Sequence, residues 1–212
     1  MEILFSDEHI AVVVKPAGAL SQDSGENCVP QLLRKTLGAE QVHVVHRLDR
    51  EVGGVMVYAL TSKAAAGLSR TVQERKMKKT YLAVLRGVPS EPSALLEDLL
   101  FHDQRRNKTY VVDRQRKGVK DASLDYTLLE TVEEKSLVQV HLHTGRTHQI
   151  RVQFASRKLP LVGDGKYGGK EPSSSLGLWC HRLCFPHPVT GKRLSFAQNP
   201  PITAPWDKFT IK

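Results

Sequence analysis

The run His46-Arg47-Leu48-Asp49-Arg50 sets an imidazole, two guanidinium groups and a carboxylate side by side. It stands between the apolar pair Val44-Val45 and the glycine pair Gly53-Gly54. A carboxylate in this setting can form a structural ion pair with an arginine, accept a proton as a base, or attack carbon as a nucleophile. Two features favour chemistry over a plain ion pair. The cluster sits on a connection between apolar strands, where a rigid scaffold presents side chains. The glycines that follow permit a tight turn and close approach of a substrate.

A second polar cluster is Thr144-Gly145-Arg146-Thr147-His148-Gln149-Ile150-Arg151, at a strand-to-helix transition. His148 and Arg151 are three apart and share one face of a helix. The arginine suits a carboxylate or a phosphate, and a capped helix with solvated side chains is the plainer alternative. His148 as a general base has no nucleophile beside it in sequence. The chain has no G-x-x-x-x-G-K-[ST], no G-x-G-x-x-G and no H-E-x-x-H, and Thr190-Gly191-Lys192 lacks the rest of a phosphate-binding loop. Cys28, Cys180 and Cys184 make neither a disulfide framework nor a zinc site. They read as free thiols of a reducing compartment.

These clusters need elements to position them. Ile3–Phe5 and Ile10–Lys15 read as a pair of strands around the turn-rich Ser6-Asp7-Glu8-His9, and Pro16-Ala17-Gly18 ends the second. Pro30–Leu37 reads as a short helix with proline in its first turn and Gly38 after its end. Gly54–Leu60 is a β-run. Thr61 or Ser62 caps the helix that follows to about Arg75, with Leu68 and Val72 four apart on one face. The basic run 75–79 leads into a strand over Thr80–Leu85.

Pro89 to about Lys120 is the least regular stretch. It carries Arg105-Arg106-Asn107-Lys108 and Arg114-Gln115-Arg116-Lys117-Gly118, either loops or a hairpin facing RNA, or a solvated insertion. Ser123–Glu130 and Leu137–Leu142 alternate as an antiparallel pair. Thr147 is the expected N-cap of a helix bearing Ile150, Arg151 and Phe154. Leu178–Phe185 and Arg193–Phe196 are late strands joined through Pro186, Pro188 and Gly191. Pro172-Ser173-Ser174-Ser175 reads as a flexible loop. Many strands, few helices and no regular βαβ alternation predict an α+β domain on a largely antiparallel sheet.

With 212 residues, 40% of them hydrophobic, the chain can bury one core. Its 31 Lys+Arg against 22 Asp+Glu give a net charge of +9, spread along the chain rather than held in a tail. Such a surface attracts polyanions. Aromatics at 6% leave few stacking platforms for bases. The N-terminus MEILFSDEHIAVVVK is neither a secretory leader nor a membrane span, so a cytoplasmic protein is expected.

Taken in order along the chain, these blocks resemble the RluA family of RNA pseudouridine synthases. His46-Arg47-Leu48-Asp49 matches the H-R-L-D signature, and Lys79-Thr80-Tyr81 matches a K-x-Y element. TGRTHQIRVQFA at 144–155, Leu161-Val162-Gly163-Asp164, Tyr167-Gly168, His181-Arg182-Leu183 and Phe185-Pro186-His187-Pro188 continue the match. Val14-Lys15-Pro16-Ala17-Gly18 opens it. Val52-Gly53 departs from the usual Thr-Ser, and Gln153 from a common His.

The resemblance implies the pseudouridine synthase catalytic fold over 1–212, with no separate N-terminal RNA-binding domain. It implies isomerisation of uridine in ribosomal or transfer RNA, without metal or organic cofactor. Asp49 would be the catalytic carboxylate, as nucleophile at ribose C1′ or base at the 2′ position. Tyr81 would pack on the base and assist the last proton transfer, and Arg151 would pair with Asp49. Arg47 would fill the space of the flipped-out base, and Leu183 would line its pocket. RNA is the expected partner, with no membrane, and the chain is expected to act as a monomer. A glycosidase would need two carboxylates flanking the bond, and Glu51 is the neighbour available. A basic RNA-binding or ribosome-assembly module with a vestigial site is the non-enzymatic alternative.

Overall fold

The structure is a computed structural model that describes residues 1–25, 28–168 and 175–211. The expected loop at Pro172-Ser173-Ser174 lies outside the described residues. The chain begins with β1 (Glu2–Ser6), β2 (Ile10–Lys15), α1 (Val29–Leu37), β3 (His43–Val44), β4 (Gly53–Ala59) and α2 (Ser62–Gln73). It continues through β5 (Lys78–Arg86), β6 (Ser93–Asp103), β7 (Lys108–Val112), β8 (Val119–Val132) and β9 (Lys135–Leu142). It ends with α3 (Gln149–Ser156), β10 (Leu178–Pro186) and β11 (Arg193–Ala197). No helix among the described residues is long and apolar enough to cross a membrane.

The residues group into two compact units. The first combines Met1–Lys79 with Trp179–Pro200, the second Thr80–Leu178 with Pro201–Lys212.

In the first unit β1, β2 and β4 are antiparallel neighbours, β10 joins β4 in parallel, and β11 returns beside β10. Every residue of β4 is buried, which is why it reads as an unbroken apolar run rather than an alternation. One face, Val55, Val57 and Ala59, packs with Ile10, Val12, Leu183 and Phe185 under Ala64 and Leu68 of α2. Each large side chain buried there contributes about 1.5–3 kcal/mol. The opposite face carries Met56 and Tyr58, whose hydroxyl donates to the Ser21 carbonyl (3.0 Å).

Thr61 is the cap of α2, its hydroxyl accepting the Ala64 N–H at 3.2 Å. The buried stripe of that helix is Ala64, Leu68 and Thr71. Val72, four residues after Leu68, lies one residue past the stripe and is exposed. Thr71 takes the inward place by donating its hydroxyl to the Gly67 carbonyl (3.1 Å).

Where β4 meets β10, Gly54 has φ +122°, and a Cβ there would collide with the Cys180 backbone, 2.6 Å from its nitrogen. Gly54→Ala should therefore destabilise the protein by roughly 3–5 kcal/mol, from backbone strain plus overpacking. Thermal melting checks this. A variant that melts with the wild type would show that the strands separate at no cost.

In the second unit the strand order is β5-β9-β8-β6-β7, antiparallel throughout. The stretch expected to be irregular is mostly strand. β6 spans 11 residues and turns through Gln104–Asn107 into β7. The Asp103 carboxylate sets that turn by accepting the N–H groups of Arg105 (2.9 Å) and Arg106 (3.1 Å).

Thr147 does not cap α3. His148 occupies that position, with φ 54°, and no side chain caps it. The Thr147 carbonyl accepts the Thr109 hydroxyl (2.8 Å). Just before the helix, the Gln149 amide oxygen accepts the Arg146 N–H (3.0 Å) and the Thr144 hydroxyl (2.8 Å).

Candidate active site

The Asp49 segment is fixed by backbone anchors, so its side chains are presented rather than left to drift. His46 is buried and its Nε2 accepts the Val57 N–H of β4 at 3.2 Å. Burial, with Lys79 adding positive charge, pushes its pKa well below the usual value, so the ring is the neutral acceptor this bond requires. Leu48 is buried, and the Ser21 hydroxyl both accepts its N–H (3.1 Å) and donates to its carbonyl (2.8 Å). With Leu48 turned inward, Arg47 is exposed and Asp49 half-buried.

The Asp49 carbonyl accepts the Val52 N–H (3.1 Å), closing a turn. Arg50 then ties this turn to the one after β2. Its carbonyl accepts the Gly18 N–H (2.7 Å), and its Nε donates to the Gly18 carbonyl (3.1 Å).

Val52-Gly53, where the resemblance has Thr-Ser, is tightly packed. Val52 is buried, and a Cβ at Gly53 would overlap the Trp179 ring, 2.8 Å from its Cε3. The indole holds its place by donating to the Gln198 carbonyl (2.8 Å). Leu183, expected to line the base pocket, is fully buried in the core cluster described above.

In the second unit Arg151 is buried and bonded in fork geometry to Asp164, Nε to Oδ2 at 2.7 Å and Nη2 to Oδ1 at 2.8 Å. Asp164 is 1% exposed, and its Oδ1 also accepts the N–H groups of Lys166 (3.1 Å) and Tyr167 (3.2 Å). The guanidinium lies 5.4 Å from the Tyr167 ring centre. The Tyr167 hydroxyl accepts the Thr109 N–H (2.8 Å) and meets His148 Nδ1 at 2.9 Å. Burial raises the Tyr167 pKa, so the phenol stays protonated. His148, outside the helix at its cap position, and Arg151 both meet Tyr167.

Asp164 uses two of the five guanidinium N–H groups of Arg151, leaving three outside this fork. Neither Asp164 nor Ser21 stands out in the sequence as a functional residue. Asp164 stood inside a matching block, where an acid among apolar and glycine residues was the available signal. Ser21 left none.

Gln153, the second departure, is buried and satisfied. Its amide donates to the Leu96 carbonyl (3.2 Å) and Asp98 (2.7 Å) and accepts from Gln149 (3.0 Å). Tyr81, near the start of β5 opposite Val140, is buried. Among the described residues no group of three or more His, Cys, Asp or Glu side chains could hold a metal ion.

A family model described as RNA pseudouridylate synthase matches residues 9–156. An uncharacterized RNA pseudouridine synthase of Aquifex aeolicus is 36% identical over 96% of this chain and 70% of its own length. The ribosomal large subunit pseudouridine synthase D of Neisseria meningitidis serogroup B is 34% identical over 92% of this chain. This chain spans only 57% of that protein. Among solved structures, human RNA pseudouridylate synthase domain containing 4 superposes with a TM-score of 0.79 at 25% identity, over 94% of this chain and 88% of that one. Human RNA pseudouridylate synthase domain containing 1 gives 0.83 at 24% identity, over 95% and 84%, which supports the fold.

Proposed function

The chain belongs to the RNA pseudouridylate synthase family, and we propose that it isomerises specific uridines in ribosomal RNA to pseudouridine with Asp49 as the reacting carboxylate. The observation that carries this reading is the Asp49 turn. It is a half-buried carboxylate on a loop clamped at Leu48 by Ser21 and at Arg50 by Gly18. Such preorganisation is what a carboxylate needs to meet one atom of a large substrate.

In this reading Asp49 attacks ribose C1′ as N1 leaves, or removes the 2′ proton so that the N1–C1′ bond breaks. The base turns and C5 bonds to C1′, displacing Asp49 or returning the 2′ proton from it; the proton at C5 is then lost while N1 gains one, so the product is an isomer. Tyr81 packs against the turning base and assists that last transfer. Arg151, already aligned by Asp164, is assigned on the family motif to keep Asp49 ionised, since arginine carries its charge at any working pH. Exposed Arg47 fills the space of the flipped-out uridine, whose extrusion costs a few kcal/mol. Leu183 keeps a packing role.

The relative from Neisseria meningitidis, named for the large ribosomal subunit, makes large-subunit RNA the first substrate to test. Mapping pseudouridine across total RNA with and without the gene tests it. A site that disappears from large-subunit RNA supports the assignment, and loss confined to transfer RNA redirects it.

Salt dependence follows from the +9 charge. Arg105 and Arg106 stand exposed at the tip of the β6–β7 hairpin. Replacing both with Ala should weaken RNA binding and reduce the log–log salt slope by about 2, one per phosphate contact. An unchanged slope would make that hairpin an ordinary solvated surface.

A further inference from the structure

We propose that one face of the β6–β7 hairpin is a platform for single-stranded RNA: bases stack against the Tyr110 ring and the Arg116 guanidinium held over Phe101, while Arg106 and Lys108 take the flanking phosphates. The proposal rests on the reading of RNA as the substrate. Phe101 of β6 pairs in register with Tyr110 of β7 on one side and Val119 of β8 on the other. Residues directly opposite share a face, so the two rings are neighbours. Leu100, one residue earlier, turns to the other face and packs with Ala122 and with Val152 of α3. Both rings are half-buried and keep surface open to solvent.

β7 and β8 flank β6, and both run antiparallel to it. The connection between them, residues 113–118, therefore crosses β6 as a short strap. It crosses on the Phe101 side. The Arg116 guanidinium lies over the Phe101 ring, 5.1 Å from its centre, and a Cβ on Gly118 would stand 3.4 Å from Phe101 Cε2. The Val119 N–H closes the strap by donating to the Arg116 carbonyl (3.0 Å). Every residue of the strap is exposed, so Arg116 meets the ring on one side and solvent on the other. Next to it, the Tyr110 side chain bonds Arg106, and the Lys108 ammonium lies 5.7 Å from the Tyr110 ring centre and 5.5 Å from that of Tyr167.

Residues 103–118 carry Arg105, Arg106, Lys108, Arg114, Arg116 and Lys117 against Asp103 and Asp113, so four of the nine net positive charges of the chain fall in this one stretch. Asp103 is occupied by the turn N–H groups and stands 3.9 Å from Arg106. Charge of this sign and density suits a polyanion. The rings add what charge alone lacks. Cations already ordered on aromatic groups lose less side-chain freedom when a ligand arrives. A planar guanidinium stacks on a base as it does on a phenyl ring. Duplex RNA offers its phosphates but hides the faces of its bases, whereas a single strand offers both, so rings beside cations favour the single strand.

The test titrates an RNA of about 12 nucleotides, single-stranded and as a blunt duplex, against the wild type, Phe101→Leu, Tyr110→Leu, Tyr110→Phe and Arg116→Lys. Each titration is repeated across a salt series, and each melting temperature is recorded. Phe101→Leu and Tyr110→Leu should each weaken binding of the single strand by about 5- to 100-fold. Neither changes the charge, so the log–log salt slope should stay within about 0.5 of the wild type. Arg116→Lys keeps the charge and loses the plane, and single-strand affinity should fall there too. Tyr110→Phe keeps the ring and should stay within about threefold of the wild type. Duplex affinity should change by less than about twofold throughout.

Wild-type single-strand affinity in a folded Tyr110→Leu or Arg116→Lys overturns the proposal. An equal loss for duplex and single strand also overturns it, since plain charge attraction or a damaged surface produces that pattern. If Phe101→Leu does not fold, Arg116→Lys decides, because it alters an exposed side chain and keeps its charge. A wild type that binds RNA beside unaffected variants defeats this inference alone. A wild type that binds neither RNA defeats the reading beneath it as well.

Discussion

Asp49→Asn should abolish detectable pseudouridine formation, a loss of at least about 10⁴-fold in kcat, while RNA affinity stays within about twofold. Asparagine keeps the size of the side chain and removes its negative charge and its nucleophilic oxygen. The anchors of the loop survive the change because they are made by other groups. Ser21 holds the Leu48 backbone, the Asp49 carbonyl accepts Val52 N–H, and the Arg50 carbonyl accepts Gly18 N–H. The melting temperature should therefore stay close to the wild type, which separates lost chemistry from lost fold. Turnover of the variant near the wild-type rate would remove Asp49 from the mechanism.

Asp164→Ala should destabilise the protein by about 3–5 kcal/mol. The carboxylate is 1% exposed and Arg151 4%. Deleting the acid leaves a buried guanidinium without the partner on its Nε edge, and it removes the acceptor of the Lys166 and Tyr167 N–H groups. At roughly 2–4 °C per kcal/mol for a chain of this length, the melting temperature should drop by about 6–20 °C. Asp164→Asn, which keeps an acceptor oxygen, should lose less stability. It should still lower kcat, because a neutral amide no longer holds Arg151 by charge. A folded Asp164→Ala with an unchanged melting temperature would show that solvent replaces the carboxylate, against the burial seen here.

Where local physics dominates, the sequence was readable. The strands at Ile10–Lys15 and Gly53–Ala59, the α1 helix stopped at Gly38, and the Thr61 cap follow from apolar runs and capping chemistry that need no tertiary information. Long-range packing was not readable. Leu95 and Leu96 fall on opposite faces of β6, one 57% exposed and one buried, so the segment shows no clean alternation. Thr71 is buried on α2 although polar, because it satisfies its own hydroxyl within the helix by donating to the Gly67 carbonyl. Thr147 looked like a cap, but its carbonyl is used by Thr109, 38 residues earlier, a contact no local rule supplies. The grouping of Trp179–Pro200 with the first 79 residues leaves no shift in composition to mark it.

The candidate site divides the same way. Asp49 and Arg151 stood out by residue type and motif. The groups that hold them, Ser21 at 27 residues from Leu48 and Asp164 at 13 from Arg151, became visible only with coordinates.

The most direct test of the central claim is the identity of the product. Purified protein is incubated with a large-subunit ribosomal RNA transcript, which is then digested to nucleosides and resolved by chromatography with mass detection. The account predicts that uridine is replaced by a nucleoside of the same mass that elutes as pseudouridine, with no free uracil released. Free uracil would mean cleavage of the glycosidic bond without re-attachment. Unchanged uridine in RNA that the protein demonstrably binds would mean a binding module. Either result contradicts the account.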